Sequence, residues 1–229
     1  MIFKYKYGFR KGHSTIHTVT EMVDSIELSM DRNKIASGIF VDLSKAFDTV
    51  DHSILLAKLQ HYGIQGIAND LFKSYLSNRK QFVQINEQKS STQSITCGVP
   101  QGSVLGPLLF LLFINDLSVC CTTGAVRIFA DDTSVFFTCN NMEELKTSAE
   151  QIMTQLNEWF CANKLTLNSS KSNFVVFRSP RMKLINIPEK IAFSSYEISR
   201  VNQVKYLGMI LDENLNWNAH ITNLCNKLK

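Results

Sequence analysis

The chain has 229 residues, 45% hydrophobic and 19% charged; this composition excludes a disordered segment and supplies a sizeable core for one larger domain. The net charge of +4 is weak, but Lys4, Lys6, Arg10 and Lys11 precede the first acid, Glu21, so the first twenty residues carry all of it, and charge alone leaves a plain basic arm and a phosphate-binding arm level. Six cysteines form no C-x-x-C pair and no zinc spacing and read as thiols in a reducing compartment, no signal-peptide pattern opens the chain, and the longest apolar stretch, 104–114, is shorter than the roughly 20 residues of a bilayer span.

Apolar residues at 16, 19, 23, 26 and 30 recur at helical spacing, predicting a helix over Ser14–Met30 with Ser14 as its N-cap. Gly38–Leu43 reads as a strand. Ser53–Tyr62 and Ala68–Ser77 read as helices, broken apart by Gly63 and Gly66. Gln81–Asn86 and Gln93–Cys97 look like a strand pair, followed by a turn at Gly98–Gly102. Ser103–Leu117 is an apolar helix in which Pro107 either kinks the axis or occupies the first turn. Val126–Thr138 is a hairpin and Met142–Ala162 a second amphipathic helix. Asn173–Phe177 and Val204–Leu211 are strands, and His220 begins a last helix. Strands mixed with helices without regular β-α-β alternation predict an α+β fold.

The hairpin tip carries Phe129-Ala130-Asp131-Asp132. Adjacent like charges must be solvated or neutralised, and an isolated Asp-Asp pair is most often a solvated turn. A third carboxylate, Asp42, ends the apolar run Ile39-Phe40-Val41. If both strands share a sheet, three carboxylates converge. Oxygen ligands of this kind suit Mg²⁺, and two such ions about 3.5–4 Å apart form a phosphoryl-transfer site. Without a cation, at least one of the three acids should have a raised pKa. Asp48 and Asp51 read as local caps or turn residues.

The neighbourhood of these acids resembles the reverse transcriptases of non-LTR retrotransposons, most closely the jockey-like group of animal elements. Phe40-Val41-Asp42-Leu43-Ser44-Lys45-Ala46-Phe47-Asp48-Thr49-Val50-Asp51-His52 resembles their motif A, Gly98-Val99-Pro100-Gln101-Gly102-Ser103-Val104-Leu105-Gly106-Pro107-Leu108-Leu109-Phe110 motif B, and Phe129-Ala130-Asp131-Asp132 motif C. Tyr7-Gly8-Phe9-Arg10-Lys11-Gly12-His13-Ser14-Thr15 is similar to the fingers motif before them. Asn163 through Lys171 resembles motif D, and Val204-Lys205-Tyr206-Leu207-Gly208-Met209 motif E. Six motifs in order span nearly the whole chain.

The resemblance implies an RNA-directed DNA polymerase with a fingers–palm core and a ferredoxin-like antiparallel palm sheet. Its substrates would be an RNA template, a DNA primer and dNTPs, and its cofactor two Mg²⁺ ions, with Mn²⁺ as a substitute. Asp42 and Asp131 would ligate both metals, with Asp132 as the accessory acid. Arg10 would grip the triphosphate, and Phe47 would exclude a 2′-hydroxyl beneath the sugar or else simply fill the core. Gln101 and Gly102 would contact nucleotide and template. Lys171 is a candidate general acid for the leaving pyrophosphate, set against a plain surface lysine. Tyr206, Leu207 and Gly208 would form the primer grip, although Tyr206 can also be read as packing. Residues 1–229 are expected to be one partial reverse transcriptase domain, running from a fingers remnant through motif E without thumb or endonuclease. No membrane association is expected, and the element type implies the nucleus or cytoplasm. A second reading is an inactive retrotransposon remnant that at most binds nucleic acid.

Overall fold

A computed structural model describes residues 6–8 and 12–228. Helix α1 (Thr15–Asp31) starts where expected, because the Ser14 side chain accepts a hydrogen bond from the His17 N–H. Strand β1 (Ile35–Val41) follows. It begins three residues before the strand read from sequence, because all seven of its residues are buried and period-two alternation is lost. Helices α2 (His52–His61) and α3 (Ile67–Leu76) come next.

The expected strand pair between 81 and 97 is instead a ladder of four two-residue strands: β2 (Lys80–Gln81), β3 (Gln84–Ile85), β4 (Gln88–Lys89) and β5 (Gln93–Ser94). β2 pairs with β5, and β3 with β4 inside them. The apolar helix is shorter than its apolar run. α4 (Leu105–Phe113) holds Pro107 in its first turn, and a separate turn of helix, α5 (Leu117–Cys120), follows.

β6 (Ala125–Phe129) and β7 (Asp132–Cys139) form the expected hairpin. α6 (Met142–Ala162) and β8 (Asn173–Phe177) keep the bounds read from sequence. Strands β9 (Lys190–Phe193) and β10 (Tyr196–Arg200) have no counterpart in the sequence pattern, although Ile191, Phe193 and Ile198 are buried between exposed neighbours. Val204–Leu211 is two strands, β11 (Gln203–Tyr206) and β12 (Met209–Asp212). Leu207 (φ 47°) and Gly208 (φ 90°) make the positive-φ turn between them. α7 (Asn218–Lys227) ends the described chain.

The central sheet has the order β6-β7-β1-β8-β10-β9. Its first four strands are mutually antiparallel, but β10 runs parallel to β8, so the sheet is mixed rather than wholly antiparallel. Burial on both faces explains the cohesion of its middle strands. Ile39, Val135, Phe137 and Phe174 pack with Phe110, Phe113, Ile152 and Leu156 of α4 and α6. On the other face Phe40, Phe136, Val175 and Phe177 pack with Val19, Met22 and Ile26 of α1 and with Val204, Tyr206 and Leu211 of the β11–β12 hairpin. Among the described residues no helix is long and apolar enough to cross a membrane.

Candidate active site

Asp42 directly follows β1, and Asp132 opens β7. Val41 pairs with Thr133 across these strands, so the next register step sets Asp42 opposite Asp132 on the face that carries Phe40. The turn between β6 and β7 has two central residues, Ala130 and Asp131, closed by the Phe129–Asp132 pair. Ala130 takes φ 56°, a positive value of the kind that tight hairpin turns need at this place. Strain of this sort costs about 1–3 kcal/mol and tends to gather at functional turns.

Asp42 and Asp132 line one cavity of about 130 Å³, together with Lys171, Lys205, Asn173 and Tyr206. That is smaller than the roughly 300–1,000 Å³ of small-molecule pockets, so a whole nucleotide does not fit within it. A larger cavity of about 630 Å³ lies between α2 and the α4–α5 junction, against Lys58, Tyr62 and Asp116, and holds none of the candidate residues.

The three carboxylates do not close into one ligand cage. Asp131 stands at the exposed turn outside the cavity lining. Among the described residues no three His, Cys, Asp or Glu side chains are grouped to hold a metal. Adjacent residues at a turn diverge, and like charges without a cation splay. The electrostatics still mark them as one group. Asp132 is open to solvent on one side, yet its acid is held above the ordinary carboxylate range, first by partial burial, then by the charges of Asp131 and Asp42. A divalent cation would relieve that repulsion, and the donors are hard oxygens, so the residues present fit Mg²⁺ or Mn²⁺.

The remaining candidates separate into those near the cavity and those beside it. Lys171 is exposed and lines the cavity. Phe47 is half-buried and stacks on Phe110 of α4, with ring centroids 4.2 Å apart. Gln101 donates from Nε2 to Asp48 Oδ1 at 2.8 Å, and Gly102 (φ 78°) stands in open space. The 98–102 turn is thereby docked on the 47–50 loop. The Gly98 N–H donates to the Val50 carbonyl at 2.7 Å, and the Val99 N–H to the Phe47 carbonyl at 2.8 Å.

Tyr206 is buried and packs on Phe40. Its hydroxyl accepts from Ser134 Oγ at 2.9 Å, and burial is the main reason it is pushed up to about 12. Its ring is therefore core, and Gly208 is the exposed residue of that hairpin turn. Arg10 lies outside the described residues.

Three contributors escaped the sequence. Lys205 lines the cavity. Gly8 packs so closely on Ala130 that a Cβ there would meet the Ala130 main-chain nitrogen; the Tyr7 N–H, donating to the Ile128 carbonyl at 2.9 Å, holds it there. Ser172 is bound to the main chain of Asp42. Gly8 and Lys205 had a signal, since both stand inside quoted motifs; a lone serine had none.

Asp51 is structural, as its sequence context suggested. It caps α2 by accepting from the Ile54 N–H at 3.0 Å, and its other oxygen pairs with Lys164 at 2.7 Å. Lys164, then Ser53 and the Ile54 N–H, hold its acid well below the usual carboxylate range. A group shifted this way stabilises the fold above its unfolded pKa and loses that contribution as pH falls through its folded value. Asp51→Ala is expected to cost about 1 kcal/mol of stability at neutral pH, with the deficit shrinking in acid. Urea unfolding at pH 7 and at strongly acidic pH measures both; an equal deficit at both would remove the charge from the explanation.

A sequence model described as reverse transcriptase (RNA-dependent DNA polymerase) matches residues 1–211. The probable RNA-directed DNA polymerase from transposon X-element of Drosophila melanogaster is 30% identical over 230 residues, covering 99% of this chain and 25% of that protein. The RNA-directed DNA polymerase from mobile element jockey of Drosophila funebris is 29% identical, covering 96% and 24%. The chain thus spans about a quarter of the length of these relatives. Among solved structures, apo telomerase from Candida tropicalis, truncated from its C-terminal domain, superposes with a TM-score of 0.62 at 12% identity, covering 93% of this chain and 40% of the other. Telomerase from Candida albicans with a fragment of telomeric RNA gives 0.59 at 11% identity, covering 93% and 36%. At such identities the likeness is one of fold.

Proposed function

The chain belongs to the reverse transcriptase (RNA-dependent DNA polymerase) family, and on that premise we propose that it adds dNTPs to the 3′-hydroxyl of a DNA primer on an RNA template. The observation that carries this reading is the meeting of Asp42 and Asp132 across β1 and β7 on one cavity, next to Asp131, with Lys171 and Lys205 lining the same cavity. We read β6-β7-β1-β8 as a ferredoxin-like palm, since helical segments lead from β1 to β6 and from β7 to β8, the β6–β7 hairpin lies between them in the chain, and neighbours in the sheet are antiparallel.

Asp42, Asp131 and Asp132 would hold two Mg²⁺ ions, or Mn²⁺ in their place. When bound, these lower the pKa of the primer hydroxyl and offset the charge of the triphosphate. The chain's own part is mostly positioning and charge. Asp42 and Asp132 hold the negative wall of the cavity. Lys171, which lines the cavity, would give a proton to departing pyrophosphate, and Lys205 would supply a second positive charge for phosphate oxygens. Phe47, backed by Phe110, limits the space beneath the sugar. Gln101 and Gly102, on a turn docked beside it, face nucleotide and template. Gly208, with Leu207 half-buried beside it, presents main chain to the primer end, while Tyr206 supports that turn from the core. Arg10 is assigned to the triphosphate. Template–primer would be held through phosphates and duplex shape, with binding that weakens steeply in salt.

Primer extension on an RNA template with Mg²⁺ tests this reading; no incorporation by a folded chain that binds template–primer would sink it. The same assay tests Phe47. Phe47→Ala is expected to lower the preference for dNTPs over ribonucleotides by about 10–100-fold, the range for reshaping one pocket wall. An unchanged preference would leave Phe47 as a core residue only.

A further inference from the structure

We propose that Ser172 is a positioning residue that fixes Asp42 and the Lys171 loop in one relation; the inference rests on the polymerase reading of the Asp42 site. The β1–β8 ladder runs regularly to the Phe40–Asn173 pair. Beyond it the main-chain pairing stops. The Asp42 N–H donates to Ser172 Oγ at 3.0 Å, so a hydroxyl stands where a ladder carbonyl would be. The Ser172 hydroxyl in turn donates to the Asn168 carbonyl at 2.9 Å. A second short ladder then begins. The Asn168 N–H donates to the Asp42 carbonyl at 2.9 Å, Leu43 bridges Leu167, and the Ser44 N–H donates to the Thr166 carbonyl at 2.9 Å.

Residues 169–172 are therefore looped out between a ladder that ends at Phe40 and one that begins at Asp42. Loops of this kind re-aim side chains at sheet ends. The residue re-aimed is Lys171, which reaches the cavity shared by Asp42 and Asp132. Ser172 is 3% exposed, and its one hydroxyl proton is committed to Asn168 while its oxygen accepts from Asp42. Removing the hydroxyl leaves the Asp42 N–H without its acceptor and frees the Lys171 loop from it in one step. Both candidate groups then lose their common reference.

A plain turn-forming serine would affect stability only, and the experiment separates the two. Wild type, Ser172→Ala, Ser172→Thr and Ser170→Ala are compared by thermal unfolding, template–primer affinity, kcat and KM for dNTP, and Mn²⁺ binding to the protein alone by EPR. Ser170 is on the same loop, and its hydroxyl donates to Asn168 Oδ1, away from Asp42. Ser172→Ala is expected to lower kcat about tenfold or more, as a buried donor left unpaired implies. Its Mn²⁺ midpoint should rise several-fold, with template–primer affinity unchanged. Ser172→Thr should recover most of both losses, and Ser170→Ala should behave as wild type. Wild-type kcat and Mn²⁺ midpoint in folded Ser172→Ala would overturn the proposal, as would an equal loss in Ser170→Ala. A wild-type chain that binds Mn²⁺ but extends no primer overturns the polymerase reading alone, because the metal isotherms still decide the clamp. A wild type that binds no Mn²⁺ overturns both.

Discussion

Asp42→Asn is expected to reduce primer extension by about 10³-fold or more while leaving the fold intact, on the scale found when one preorganised charge-stabilising group is removed from an active site. The substitution keeps size and shape, and the Asp42 main chain stays pinned by Ser172 and Asn168. Only the charge opposite Asp132 is lost. That loss should be visible without any substrate. Burial, then Asp131, then Asp42 raise the Asp132 acid, so the folded chain binds more protons than the unfolded one between the ordinary carboxylate value and the raised one. Stability therefore falls as pH rises through that window. Removing the Asp42 charge narrows the window, so metal-free Asp42→Asn should unfold at a slightly higher temperature than wild type at neutral pH. Mg²⁺ should stabilise wild type and have little effect on the variant. Extension by the variant at the wild-type rate would refute the assignment of Asp42, and a lowered metal-free unfolding temperature would show that repulsion is not what Asp42 contributes.

Gly98→Ala should cost about 2–4 kcal/mol of stability, summing positive-φ strain and overpacking. Gly98 has φ 87°, and an added Cβ would lie 2.7 Å from the Asp48 carbonyl oxygen and 2.9 Å from its main-chain carbons. All three atoms are Asp48 main chain, so no flexible side-chain end is there to give way. The contacts displaced are those that dock the 98–102 turn on the 47–50 loop, together with His52 Nε2 of α2 at 2.7 Å from the Gly98 oxygen. KM for dNTP should rise as Phe47 and Gln101 lose their common support. Gly102→Ala makes the contrast. Its φ is 78° but open space surrounds it, so about 1 kcal/mol of strain is expected without a clash. Denaturant midpoints for the two variants measure the difference; equal costs would show that backbone conformation alone matters at Gly98.

Much of this was legible before any coordinates. α6 and β8 have the bounds that periodicity predicted, and Ser14 caps α1. The resemblance carried by the motifs from Tyr7 to Met209 is borne out by the family match over 1–211 and by the jockey and X-element relatives. Other features differ from the sequence pattern for local reasons. β1 starts before the strand that alternation predicts because burial on both faces erases that alternation, and 204–211 divides into two strands where the pattern predicts one because its turn needs only Leu207 and Gly208 at positive φ. β9 and β10 leave little signal because Ile191, Phe193 and Ile198 are a sparse pattern.

What the amino-acid order determined by itself is what depends on near neighbours: helix periods, caps, turns, and acids at the ends of apolar strands. Only the tertiary structure decided which distant groups meet. It set Asp42 across from Asp132, placed Asp131 outside the cavity, buried Tyr206 while exposing Gly208, and brought Gly8 onto Ala130 and Ser172 onto Asp42. These pairs are separated by tens to more than a hundred residues. Their meeting follows from strand register and from burial on two faces of one sheet, neither of which leaves a periodic trace in the residues that come together.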